Sequence, residues 1–169
     1  MLKFNAKGPL IALVLINTLF SSSIVTASAL WQGTTSGMTI NEVRATFPQL
    51  ASTKPVEDVI EGHPVKLLHL DNIQIVKSFF SANFYFDHDK LSTVSLLLDG
   101  SPSYLSSMTV FESLTAALRK KYGKEVSYNE KNGLVNQTEA EWLSQGTHIS
   151  LSVVSVSNDN AVLKLTYGA

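Results

Sequence analysis

An α+β fold, with an antiparallel sheet of about six or seven strands and two main helices packed on one face, is what the sequence predicts. Three observations carry this reading. Apolar and polar residues alternate through residues 66–98 and 125–167, the period of a half-buried strand. Two Thr-x-x-Glu boxes, Thr39 to Glu42 and Thr109 to Glu112, announce helix starts just before apolar residues at helical spacing. The strand-like runs are joined by short turn-forming links, which implies antiparallel pairing of neighbours.

The chain begins with a segment of a different kind. Lys3 and Lys7 are its charges, and residues 9–20 form a short apolar core broken only by Asn17 and Thr18 before Ser21-Ser22-Ser23. A membrane-spanning helix needs roughly 20 apolar residues, so this stretch is too short and reads as the core of a secretory signal. Ala27-Ser28-Ala29 supplies the small residues that a signal peptidase admits, and cleavage is expected after Ala29. The expected organisation is a signal peptide over residues 1–29 and a single α+β domain over 30–169, with a periplasmic or secreted location.

Removing Lys3 and Lys7 leaves 11 basic against 14 acidic groups, a net charge of −3 on the mature chain. The remaining cations are scattered among acids, so neither nucleic acid nor a polybasic membrane contact is expected. With no cysteine in the sequence, disulfides, thiol chemistry, Cys-based zinc sites and lipid attachment at a cysteine are all excluded. No stable membrane anchor is expected to survive cleavage.

Residues 30–37 read as a lead-in rich in Gly, Thr and Ser. The first capping box opens a helix over residues 40–47, with Ile40, Val43 and Phe47 on one face and Pro48 as its stop. A connector follows over 51–64, with one helical turn expected at 56–60. Strands are expected at 66–75, 78–86 and 90–98, the last two joined by the turn Asp87-His88-Asp89. The second box predicts a helix over 110–122 with an apolar stripe of Phe111, Leu114, Leu118 and Tyr122, cations in its last turn and Gly123 beyond its end. Residues 101–107, rich in serine, read as the loop before it. The remaining strands are expected at 125–130, 137–144, 147–156 and 161–167, with turns at Asn132-Gly133 and at 158–160. A capped helix followed by a strand meander thus occurs twice, which suggests a divergent repeat.

The residues Ser36-Gly37-Met38-Thr39-Ile40-Asn41-Glu42-Val43 resemble the opening of the small outer-membrane-assembly lipoproteins of the SmpA/OmlA kind. The order of helix and meander resembles the β-lactamase inhibitor protein fold. Two features depart from the lipoproteins: their N-terminal cysteine is missing, and their Leu-Gly-x-Pro after the helix is here Phe47-Pro48. What the resemblance implies is a compact, non-catalytic, protein-binding scaffold of the cell envelope.

No enzyme motif is found. There is no Gly-x-Ser-x-Gly elbow, no Ser-x-x-Lys and no glycine-rich phosphate loop. His63 and His69 lie six positions apart and Asp87-His88-Asp89 sits in a turn, neither of which is a familiar ligand spacing. Glu139 and Glu141 share a strand face that points away from the core, where a solvated charged edge is the ordinary reading.

Strand alternation gives the sharper expectation. Placing Phe80, Phe84, Phe86, Trp142, Ile149, Leu151, Val153, Leu163 and Leu165 inward sends Phe79, Ser81, Asn83, Tyr85, His148, Ser150, Ser152, Lys164 and Thr166 to the opposite face. That second face is expected to contact a protein partner, with Phe79, Tyr85 and His148 as anchors and Asn83 and Lys164 orienting it. No cofactor or metal is expected. The competing classes are a metal-dependent protein or hydrolase using His63, His69 or His88, and a carrier of lipid or small molecules.

Overall fold

The computed structural model describes residues 27–52, 65–157 and 159–169. Helix α1 (Ile40–Thr46) is followed by β1 (Ala51–Ser52), β2 (Val65–Ile75), β3 (Ser78–Asp87) and β4 (Lys90–Leu98). Helix α2 (Tyr104–Tyr122) is followed by β5 (Ser127–Lys131), β6 (Asn136–Ser144), β7 (Thr147–Ser157) and β8 (Asn160–Gly168). The chain is therefore α+β, with one helix and four strands stated twice among the described residues. The helical turn expected at 56–60 and the proposed leader up to residue 26 lie outside the described residues.

One sheet contains every strand, in the order β1-β2-β3-β4-β8-β7-β6-β5, and each neighbouring pair is antiparallel. Apart from the two-residue β1, seven strands of five residues or more make up its breadth. The last strands of the two halves meet at the centre, from Thr93 opposite Gly168 to Leu97 opposite Lys164. A two-fold axis normal to the sheet relates the halves in this order. Such an axis keeps each face of the sheet on its own side, so both helices cover the same face.

Pairing carries one inward row across six strands: Leu68, Phe84, Val94, Tyr167, Ile149 and Trp142. A second row runs through Leu70, Ala82, Leu96, Leu165, Leu151, Ala140 and Tyr128. All nine residues expected inward are buried. Burial pushes the Tyr167 phenol far above its ordinary range, so the ring serves the core as a neutral group.

Helix α1 begins as its sequence dictates. The Thr39 hydroxyl accepts the Glu42 amide while the Glu42 carboxylate accepts the Thr39 amide at 2.7 Å, and that backbone bond is the main reason the carboxyl lies below its usual pKa. Val43 and Phe47 face inward. The lead-in is more than a spacer, because Trp31 stacks on Phe47 with ring centroids 5.6 Å apart, and both rings tilt against Phe84.

The start of α2 corrects the sequence reading. The helix opens at Tyr104, capped by the Ser103 hydroxyl, and Thr109 lies inside it with its hydroxyl donating to the Leu105 carbonyl. Serine favours caps and turns, which is why 101–107 reads as loop, yet one serine caps and the next turn is already helical. Buried Ser107 then lets the helix approach the sheet closely. At the other end Gly123 takes φ +86, and its carbonyl accepts the Trp142 indole N–H at 3.0 Å.

Two-residue turns with positive φ close three hairpins, at Val76-Lys77, His88-Asp89 and Gln145-Gly146. In the last turn of α2, Arg119 grips Glu125 with two parallel bonds, Nε to Oε2 at 2.7 Å and Nη2 to Oε1 at 2.5 Å, and this contact draws the Glu125 carboxyl down to about 2.

Two outcomes follow from these contacts. Phe84→Ala removes the ring shared by Trp31 and Phe47 and should cost about 3–5 kcal/mol in urea unfolding. Because the Glu125 pKa is lowered on folding, its stabilisation is complete above the unfolded value near 4.5 and is lost as pH falls toward about 2. Thermal melts of Glu125→Gln should therefore show a flatter loss of stability through that acid window than the parent chain.

Candidate functional site

The face opposite the helices is uncovered among the described residues, and the strand register fixes what it presents. Its central row reads His69, Asn83, Ser95, Thr166, Ser150, Glu141 and Ser127 from one side of the sheet to the other. These side chains are short at the middle of the row, and neighbours along the strands shade them. Asn83 is only 3% exposed and Ser95 is also buried, although both point away from the hydrophobic core.

Hydrogen bonds hold one flank of this trough. The His69 ring has Nδ1 2.8 Å from Asn83 Oδ1 and Nε2 2.7 Å from Asp71 Oδ1, so both ring nitrogens are engaged and the ring orientation is fixed. The Ser81 hydroxyl lies 3.0 Å from Asp71 Oδ1 and 2.5 Å from Asp99 Oδ1. A hydroxyl has one proton, so it can donate to only one of these carboxylates at a time. On the other flank, Ser150 donates to Glu139 at 3.1 Å and His148 stands 3.4 Å from Glu141. The Thr166 hydroxyl between the flanks is shut away with no hydrogen-bond partner.

One end of the face is apolar. Leu97 on β4 is diagonal to Phe79 on β3 and to Val162 on β8, and Val162 is paired with Val154 on β7, with Val156 next outward along that strand. Phe79 is 53% exposed, Val162 59% and Val156 75%. The opposite end carries Tyr85, Thr93, Gly168, His148 and Leu143 in one row, with Leu143 also exposed. Burial raises the Tyr85 pKa, so the phenol stays a neutral donor.

The five residues expected to meet a partner all lie on this face, but not together. Phe79 belongs to the apolar end and Lys164, opposite Leu97 and Ser152, borders it. Tyr85 and His148 belong to the other end, and six residues of extended strand separate Phe79 from Tyr85 by about 20 Å. Asn83 is not a surface group; it is buried and hydrogen-bonded to His69. Val154, Val156, Val162 and Leu97 were not singled out from the sequence, though the same alternation that sends Lys164 and Ser152 outward sends them outward too.

The remaining candidates stay apart. His88 is exposed beside Asp87 in its turn, His63 lies outside the described residues, and among the described residues no three His, Asp or Glu side chains converge as a metal site. On the helix side an open cleft of about 430 Å³ lies between α2 and β5, lined by Phe111, Thr115, Ala116, Arg119, Glu125 and Tyr128. Among the described residues no helix is long and apolar enough to cross a membrane. No family model, curated protein or solved structure matches this chain.

Asn83→Ala tests the trough directly. Loss of the buried amide strips His69 of one partner and should lower stability by about 1–2 kcal/mol in urea unfolding, with the fold retained by circular dichroism.

Proposed function

We propose that this chain is an exported, non-enzymatic interaction module of the cell envelope and that the uncovered sheet face is the surface that takes its protein partner. The apolar end of that face carries the reading. The solvated side of an antiparallel sheet is normally polar, whereas here Phe79, Leu97, Val154, Val156 and Val162 bring large apolar groups together across four strands. Next to them the trough offers fixed donors and acceptors, and Tyr85 stands at the far end. An apolar patch bordered by ordered polar groups is the anatomy of a protein interface. Its length, about 20 Å from Phe79 to Tyr85, suits a protein surface rather than a small molecule.

The export half of the proposal rests on the short apolar core and small-residue site near the N-terminus. The resemblance of residues 36–43 to small envelope lipoproteins points the same way, without carrying over their role in outer-membrane assembly. Phe79 and Val162 act as anchors, with Lys164 orienting the partner beside them.

The deciding measurement compares variants in affinity capture from envelope extract. Phe79→Ser combined with Val162→Ser should weaken capture of a stoichiometric protein partner by about tenfold or more. Leu105→Ser, at a 78% exposed position on the helix side, should leave it unchanged. Equal capture by the double variant and the parent chain would remove the sheet face from consideration.

A further inference from the structure

We infer that leader removal, on the export reading above, cuts between Ala27 and Ser28, two residues earlier than the Ala-Ser-Ala sequence suggests, so that the mature chain starts at Ser28. Water adds across that peptide bond in the peptidase, leaving a carboxylate on Ala27 and an ammonium on Ser28.

Residues 28–36 form a small closed hairpin. The Ser28 amide donates to Ser36 Oγ at 3.1 Å and the Ser36 amide returns to the Ser28 carbonyl at 2.9 Å. Ala29 and Thr35 form an antiparallel bridge, and the Leu30 amide donates to Thr34 O at 2.9 Å. The tip turns through Gln32 and Gly33, both at positive φ, and is closed by the Thr34 amide and hydroxyl on the Trp31 carbonyl. These bonds are local in sequence and need no distant partner to form.

The hairpin is also fastened to the β6–β7 turn. The buried Thr147 hydroxyl donates to the Ala29 carbonyl at 2.7 Å, and the Ser28 hydroxyl donates to Gly146 O at 3.1 Å. A Cβ at Gly146 would stand 2.9 Å from Ser28 Oγ, on a residue whose φ is +79. The turn is therefore shaped to receive Ser28.

Cleavage after Ala29 would undo this arrangement. It would delete the acceptor of a buried hydroxyl, remove the Ser28 bonds to Ser36 and Gly146, and put a charged ammonium on Leu30, which is 5% exposed. The first of these leaves the buried Thr147 hydroxyl unpaired and the last puts a charge in a poorly hydrated place, while the loss of the Ser28 bonds loosens the hairpin. Cleavage after Ala27 leaves every one of these bonds in place. The new ammonium then falls on half-buried Ser28, where one of its protons keeps Ser36 Oγ and the others meet water.

The sequence permits the earlier cut. Val25-Thr26-Ala27 places a compact aliphatic residue and an alanine at the third and first positions before the bond, which fits the small-residue pattern that the peptidase reads. Ala27 is exposed just ahead of the hairpin.

Expression of the full chain in a bacterium, with intact mass and N-terminal sequencing of the envelope fraction, tests this. A chain starting at Ser28 is expected. A chain starting at Leu30, or at any other processed residue, overturns the inference while export stands; an uncut chain starting at Met1 overturns the export reading with it. Substitutions give a second test: Ala27→Phe should block processing and Ala29→Phe, at an exposed position, should leave it intact. The reverse pattern overturns the inference.

Discussion

The pairing of β4 with β8 is the constraint on which the rest of the molecule depends. Five residue pairs along this seam join two halves that each contain one helix and four strands. Val94 meets Tyr167 there and Leu96 meets Leu165, so the inward rows of the two halves become continuous. Side chains alternate with a period of two, and a slip of one residue at the seam would turn one half's apolar row into solvent while the other stayed in the core. Burial on the helix side of both halves therefore fixes the register more firmly than the five pairs of backbone contacts could. The aromatic cluster of Trp31, Phe47 and Phe84 on one side and the Trp142 bond to the end of α2 on the other hold each helix to its own half.

What was legible in the sequence follows from which signals are local. Strand alternation needs no knowledge of neighbours, and it correctly divided the inward residues from Phe79, Tyr85, His148 and Lys164. The first capping box was legible because its two bonds join residues three apart. The second box failed because the same four residue types occur inside a helix once an earlier serine caps it, and the competition between Ser103 and Thr109 is decided by how the preceding turn packs on the sheet. Trp31 was hidden for a related reason: it stands in a stretch with no periodicity, and its burial comes from Phe47 and Phe84, remote in sequence. For the open face, direction was legible and depth was not. Asn83 points outward as expected but is covered, which depends on the size of residues on adjacent strands.

The two ends of that face and its middle differ in physical character. A buried trough of hydroxyls and amides would be costly if its groups were unpaired, and the His69, Asn83 and Asp71 bonds, together with Ser150 and Glu139, meet most of that demand. The trough is therefore largely satisfied by the chain itself, the Thr166 hydroxyl excepted, and contributes rigidity and orientation. The apolar end has no such internal compensation. The exposed parts of its side chains stay in water until something covers them, at roughly 25 cal/mol per Å² of apolar area removed from water. On the proposed reading, affinity would be concentrated at Phe79, Leu97 and the three valines, and the polar middle would decide which surfaces fit.

The openness of this face is itself a consequence of the topology. When two copies of a helix-and-meander unit join edge to edge through their last strands, antiparallel and in mirror-like order, the axis relating them must stand normal to the sheet. An axis lying in the sheet plane would give parallel central strands or restore the original order, and only an in-plane axis would exchange the faces. Each unit places its helix on one side, so among the described residues the joined sheet carries two helices on that side and none on the other. A single unit of four strands and one helix would present a narrow bare surface; doubling it widens that surface to seven strands with no further element to cover it among the described residues. The broad open face is therefore a product of the same repeated order and seam that build the core. Any change that loosens the β4–β8 register would spoil both together.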